Sequence, residues 1–143
     1  MREIEALNRT RPGIKILTGV EVDILEDGRL DLPDSVLAKL DLDVAAVHSK
    51  FDVPRARQTE RILRALDNPA VTLLAHPSGR LIGEREAYDV DIEQILKKAK
   101  ARGCFVELNA QPERLDLFDI HCRMAKDMGY WSASTPMRIR RRI

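Results

Sequence analysis

The sequence predicts an α/β protein with a parallel sheet or barrel, on two observations. A strand-like apolar run followed by an amphipathic helical stretch recurs three times, and Gly103 and Gly129 close the second and third of these helices. A chain of 143 residues, 44% hydrophobic and 33% charged, suits one globular or partly globular domain with its own core.

The elements follow in order. Residues 1 to 11 place Ile4 and Leu7 at helical spacing, and "RPG" breaks that helix before the apolar run "IKILTGVEVDI". "LDVAAVHS" reads as a strand that leads into the helix "RARQTERILRALDN". "AVTLLAHPSG" leads likewise into "VDIEQILKKAKARG", and "CFVELNAQP" into "LFDIHCRMAKDMG". Right-handed crossovers place the C-terminal ends of all such strands on one face. After Gly129 the pattern calls for another apolar strand, which "YWSASTPMRIRRRI" does not supply. The chain therefore divides into an orderly body, 1–129, and an aberrant basic tail, 130–143.

Composition bounds the function. The formal net charge of +1 conceals a gradient, since Arg138, Arg140, Arg141 and Arg142 load the tail and leave a mildly acidic body with no broad nucleic-acid face. Cys104 and Cys122 lack CxxC spacing and read as free thiols in a reducing compartment. No apolar run approaches the length of a membrane span and the start lacks a signal peptide, so a cytoplasmic location is expected.

The polar residues fall at strand ends. Glu21 follows "ILTGV", His48 follows "VAAV" and His76 follows "TLLA". At that edge of a parallel α/β sheet loops vary without disturbing the core, and ligands gather there. One histidine in such a place is more often a hydrogen-bonded structural residue. A carboxylate with two imidazoles in one register is instead a common first shell for Zn²⁺, Mn²⁺ or Fe²⁺. Arg80 in "HPSGR" could bind a phosphate oxygen bidentately, and Asn109 and Arg114 in "NAQPERLDL" follow a strand end in the same way. Glu107 reads either as a structural ion pair or as part of the site. His121 reads as a surface or boundary residue, and "EDGRLDLPD" as a solvated turn.

"GVEVDILEDGRLDLPD", "LDVAAVHSKF", "TERILRALDNPAVTLLAHPSGRLIGEREAYDVD" and "VELNAQPERLDL" together resemble the PHP (polymerase and histidinol phosphatase) domain at the C-terminus of bacterial and archaeal family X DNA polymerases. The resemblance runs from about Ile14 to Gly129. It implies a partial, distorted β/α barrel with parallel strands and a site for up to three divalent ions, Mn²⁺ or Zn²⁺. It implies phosphate-ester hydrolysis, as a 3′-5′ exonuclease and 3′-phosphatase acting on DNA 3′ ends. Glu21, His48 and His76 match family metal ligands, and Arg80 becomes a candidate substrate contact.

The family pattern also includes a His-x-His strand and a "DH" histidine before this start, and an Asp-x-His pair after Gly129. A permitted back-translation of Trp131 to Arg138, read from its third base, gives Val-Ser-Ile-Asp-Ala-His-Ala. The tail is therefore expected to be out of frame, with one bound ion or none in place of three. Two other functional classes stand beside the enzyme: an inactive or self-associating module joined through unpaired barrel edges, and a phosphatase of small molecules resembling histidinol phosphatase.

Overall fold

The computed structural model describes residues 2–11, 13–130 and 133–135. Its elements run α1 (Arg2–Thr10), β1 (Gly19–Asp23), α2 (Asp34–Leu37), β2 (Leu42–Ala46), α3 (Arg55–Asp67), β3 (Val71–Leu74), α4 (Ile92–Arg102), β4 (Phe105–Asn109), α5 (Asp119–Asp127) and β5 (Ala133–Thr135). The five strands pair in parallel in the order β1-β2-β3-β4-β5. Sequential parallel order with same-handed crossovers stacks the helices on one face, which is the arc of a β/α barrel. The expected fold class is the one observed.

Helix boundaries obey local chemistry. The Asp91 carboxylate accepts from the backbone N–H of Gln94 at 3.0 Å and starts α4, and Gly103, at φ 71°, ends it. The helices α3 and α4 pack on each other and on the sheet, burying Ile62, Leu66, Ile95 and Leu96 against Leu74 and Val106. Burying side chains of this size contributes about 1.5–3 kcal/mol each, which makes this layer the core.

Two differences from the sequence reading have local causes. The run from Ile14 to Leu17 is not a strand, because Asn8 takes the place of a partner strand. Its side chain donates to the Ile16 carbonyl at 2.8 Å and accepts from the Ile16 N–H at 2.7 Å, leaving Ile14 and Leu17 exposed. The stretch "EDGRLDLPD" is the solvated turn expected, with Glu26, Asp27, Arg29 and Asp31 exposed and Gly28 buried. Gly28, at φ 84°, lies so close to α3 that an added Cβ would meet the Arg64 Cβ at 2.6 Å. Beyond Gly129 a strand does form: β5 is short and pairs with Glu107 to Asn109. Most of the tail, residues 131–132 and 136–143, lies outside the described residues, and with it the out-of-frame expectation.

Candidate metal centre

Alternation along β1 sets up the site. Val22 and Ile24 are buried in the core, so Glu21 and Asp23 share the opposite face. The register Asp23↔Ala46 then brings the end of β1 beside the end of β2, two residues before His48. From β3 the chain continues through Ala75, whose N–H donates to the Ala45 carbonyl at 2.9 Å, and delivers His76 to the same edge.

There the three expected residues meet. One donor atom each from Glu21, His48 and His76 lies within 4.8 Å of the others. Glu21 Oε1 is 3.0 Å from His48 Nε2 and 3.4 Å from His76 Nε2, and the two imidazole centroids are 5.2 Å apart. Glu21 and His48 are half exposed, whereas the His76 side chain is buried. One wall of the site is therefore fixed and the other is open to a ligand. Two imidazole nitrogens and a carboxylate facing one point are the donor set of a mononuclear divalent-ion site, so the residues fit such an ion. Among the described residues this is the cluster of metal-binding type.

Three further carboxylates hold these ligands: Glu107, which the sequence reading weighed, and Asp23 and Asp116, which it did not single out. Asp23 Oδ1 lies 2.5 Å from His48 Nδ1 and so turns Nε2 toward Glu21. The Glu-x-Asp spacing on a strand was the available signal for it. Glu107 accepts from the His76 backbone N–H at 2.7 Å, and holds that residue in its left-handed conformation at φ 29°. Buried Asp116 accepts from the N–H groups of Ser78 and Gly79 at 2.9 and 3.1 Å, which fixes the "HPSG" turn. Burial pushes the Asp116 carboxyl up, against these two hydrogen bonds, which favour its charged form. Burial first, and then the neighbouring Arg114 charge, push His76 below the ordinary histidine range, with Glu21 opposing.

Replacing Asp23 by asparagine is expected to weaken divalent-ion binding by about 10- to 100-fold, because the outer carboxylate no longer orients the ring. Calorimetric titration of both proteins checks this, and equal affinities would remove Asp23 from the site.

The expected substrate residues are placed differently from one another. Arg80 donates from Nε to the Arg114 carbonyl at 3.0 Å and from Nη2 to the Leu115 carbonyl at 2.6 Å, with its guanidinium 3.9 Å over the Phe118 ring. It braces the loop that carries Arg114. Asn109 is buried, and its Oδ1 accepts from the Gln111 N–H at 3.0 Å, at the start of that loop. Arg114 itself keeps a buried Nη1 without a hydrogen-bond partner.

The thiols of Cys104 and Cys122 are free and pushed up by burial.

His121 stands apart, stacked on Phe118 with ring centroids 5.2 Å apart. Burial holds its pKa down, against Asp116 and Asp119. Its stabilising contribution is thus full above the unfolded value of about 6.5 and is lost as pH falls through the depressed folded value. Urea titrations at about pH 7.5 and about pH 5 are expected to show wild type losing stability relative to His121→Gln on acidification. A gap that does not change with pH would contradict this.

No family model matches the chain. It is 45% identical over 128 residues to the DNA polymerase/3′-5′ exonuclease PolX of Bacillus subtilis, a match that covers 90% of this chain and 22% of that protein. The chain belongs to the PHP domain family, in the form joined to family X DNA polymerases. Proteins named "probable phosphatase" from Caldanaerobacter subterraneus and Thermoanaerobacter sp. are 39% and 41% identical to this chain, each over 101 residues. Those two matches each cover 68% of this chain, and 37% and 39% of the respective relatives. The chain thus spans well under half the length of these relatives. No helix among its described residues is long and apolar enough to cross a membrane.

Proposed function

We propose that this PHP domain hydrolyses phosphate esters at a divalent-ion site built from Glu21, His48 and His76, with DNA 3′ ends as the substrate class. The reading rests above all on the convergence of the three donor atoms at the strand ends. A divalent ion held there, Mn²⁺ or Zn²⁺, supplies a nucleophile at neutral pH and offsets phosphoryl charge.

The chain's own residues do the rest. Burial disfavours the charged form of His76, which suits its imidazole to offering a lone pair to a cation. Glu21 contributes a negative charge between the two rings. The unpartnered Nη1 of Arg114, close enough to His76 to depress its pKa, is suited to a phosphoryl oxygen, and Arg80 and Asn109 position the loop that carries it. The likeness to a polymerase with 3′-5′ exonuclease in its name supports a DNA substrate.

Phosphate release from a 3′-phosphorylated oligonucleotide, and from a small aryl phosphate, tests the reading in the presence of Mn²⁺. Release from the oligonucleotide that Glu21→Ala abolishes is the expected result, and Arg114→Ala is expected to raise KM with metal affinity unchanged. Release no greater than that of Glu21→Ala would contradict the reading. Hydrolysis of the aryl phosphate alone would favour a small-molecule phosphatase, the reading that the relatives named as phosphatases support.

A further inference from the structure

Between β1 and β2 the backbone ladder ends early. Its last bond runs from the Ile24 N–H to the Ala46 carbonyl at 2.7 Å, and beyond it the two chains part into the loops that follow the strands. The Ile24 and Ser49 carbonyls are then left without a backbone donor, while the Leu25 carbonyl accepts from the Gly28 N–H at 2.9 Å, and a buried carbonyl needs a partner. A single side chain from α3 supplies a donor to both and reaches the Leu25 carbonyl as well. Arg61, only 2% exposed, donates from Nε to the Leu25 carbonyl at 2.8 Å, from Nη1 to the Ser49 carbonyl at 2.9 Å and from Nη2 to the Ile24 carbonyl.

We propose that Arg61 is a positioning residue: its buried guanidinium locks the loop after β1 to the loop after β2 and so fixes the spacing of Glu21 and His48 on which ion binding depends. The inference rests on the metal-site reading above. Ser49 adjoins His48, while Ile24 adjoins Asp23, whose carboxylate already meets the His48 ring from the other side. Asp23 and Arg61 therefore bridge the same two loops, one at the solvent face and one from within.

The chemistry of the group singles out this role. A buried cation with no carboxylate in ion-pair contact among the described residues gives up solvation that a neutral donor would retain. What the guanidinium gains in exchange is its planar fork, which reaches three acceptors in fixed directions, whereas the ammonium of lysine is a single point. Arg64, one turn further along α3, supplies the comparison. It donates to the Asp27 carbonyl at 3.1 Å, on the first loop only, and has no bond to the second.

The test uses the full chain with ¹⁵N-labelled histidine, as wild type, Arg61→Lys, Arg61→Met and Arg64→Ala, at a temperature where circular dichroism shows each folded. In metal-free protein both Arg61 variants are expected to shift and broaden the His48 imidazole signals, with those of His121 unchanged. Both are also expected to weaken Co²⁺ binding, followed by its visible absorption, by at least about tenfold. Arg64→Ala is expected to match wild type in both measurements. Arg61 variants that melt at lower temperature but keep the wild-type His48 signals and Co²⁺ affinity would overturn the proposal. If Arg61→Met does not fold, Arg61→Lys decides. If wild type itself binds no Co²⁺, the metal-site reading falls, and the His48 signals of the metal-free proteins still decide the role of Arg61.

Discussion

Replacing Glu21 by alanine is expected to lower divalent-ion affinity by more than the about 100-fold that loss of an outer-shell group can cost, because it removes the only anionic donor of the set. Its Oε1 is the point that both imidazoles face, at 3.0 and 3.4 Å. Without it two neutral nitrogens remain, and the half-exposed His48 is freed from one of its two carboxylate contacts. Stability should scarcely change. Ion pairs at half-exposed positions contribute about 0–1 kcal/mol, so the metal-free variant should melt close to wild type. Calorimetric titration beside thermal unfolding separates the two effects. A large loss of melting temperature with unchanged affinity would mean that Glu21 serves the fold and not an ion.

The second large effect is expected at Gly79, in the turn that follows His76. Its φ is 65°, and a Cβ placed there would stand 2.3 Å from Cε1 of Tyr88. That ring cannot retreat. It is 7% exposed and stacks on Phe51 at 6.1 Å, with the Arg85 guanidinium 3.9 Å over the Phe51 ring. Gly79→Ala therefore combines a left-handed backbone cost of about 1–2 kcal/mol with an overpacking cost of about 1–3 kcal/mol. Gly83→Ala is the comparison, because Gly83 has φ 83° but open space where the Cβ would lie. Urea unfolding should show the larger loss at Gly79, by the overpacking part alone. Since the Gly79 N–H binds both the His76 carbonyl and the Asp116 carboxylate, ion affinity should fall with it. Equal losses at the two glycines would show that Tyr88 does not confine this turn.

The fold was legible where the sequence kept a simple period. The helices α3 and α4 carry an apolar stripe with recognisable ends, and the parallel strands were visible as apolar runs between them. Glu21, His48 and His76 could be read because each ends such a run, and parallel topology gathers run ends on one edge. Their supports were less visible. Asp116 comes 40 residues after His76 and contacts its turn only because the Asn109–Asp116 bridge folds the loop back. Arg61 reads as one more charge on an amphipathic helix until the loops it grips are in place. Arg80 shows the opposite limit. Its place in the turn after His76 was legible, but its two carbonyl partners and the Phe118 ring depend on how residues 111–118 close over it. The strand beyond Gly129 was not expected from its composition. Strand pairing is a backbone interaction, and β4 offers a free edge there whatever side chains follow.

The central claim is that Glu21, His48 and His76 hold a divalent ion. Zn K-edge absorption on the metal-stripped chain, reloaded with one equivalent of Zn²⁺, tests it most directly. The account predicts two imidazole nitrogens and a carboxylate oxygen at about 2.0–2.2 Å, with the imidazole scattering lost in the His48→Ala, His76→Ala double variant. A first shell with sulfur at about 2.3 Å, or one that the double variant leaves unchanged, would contradict it.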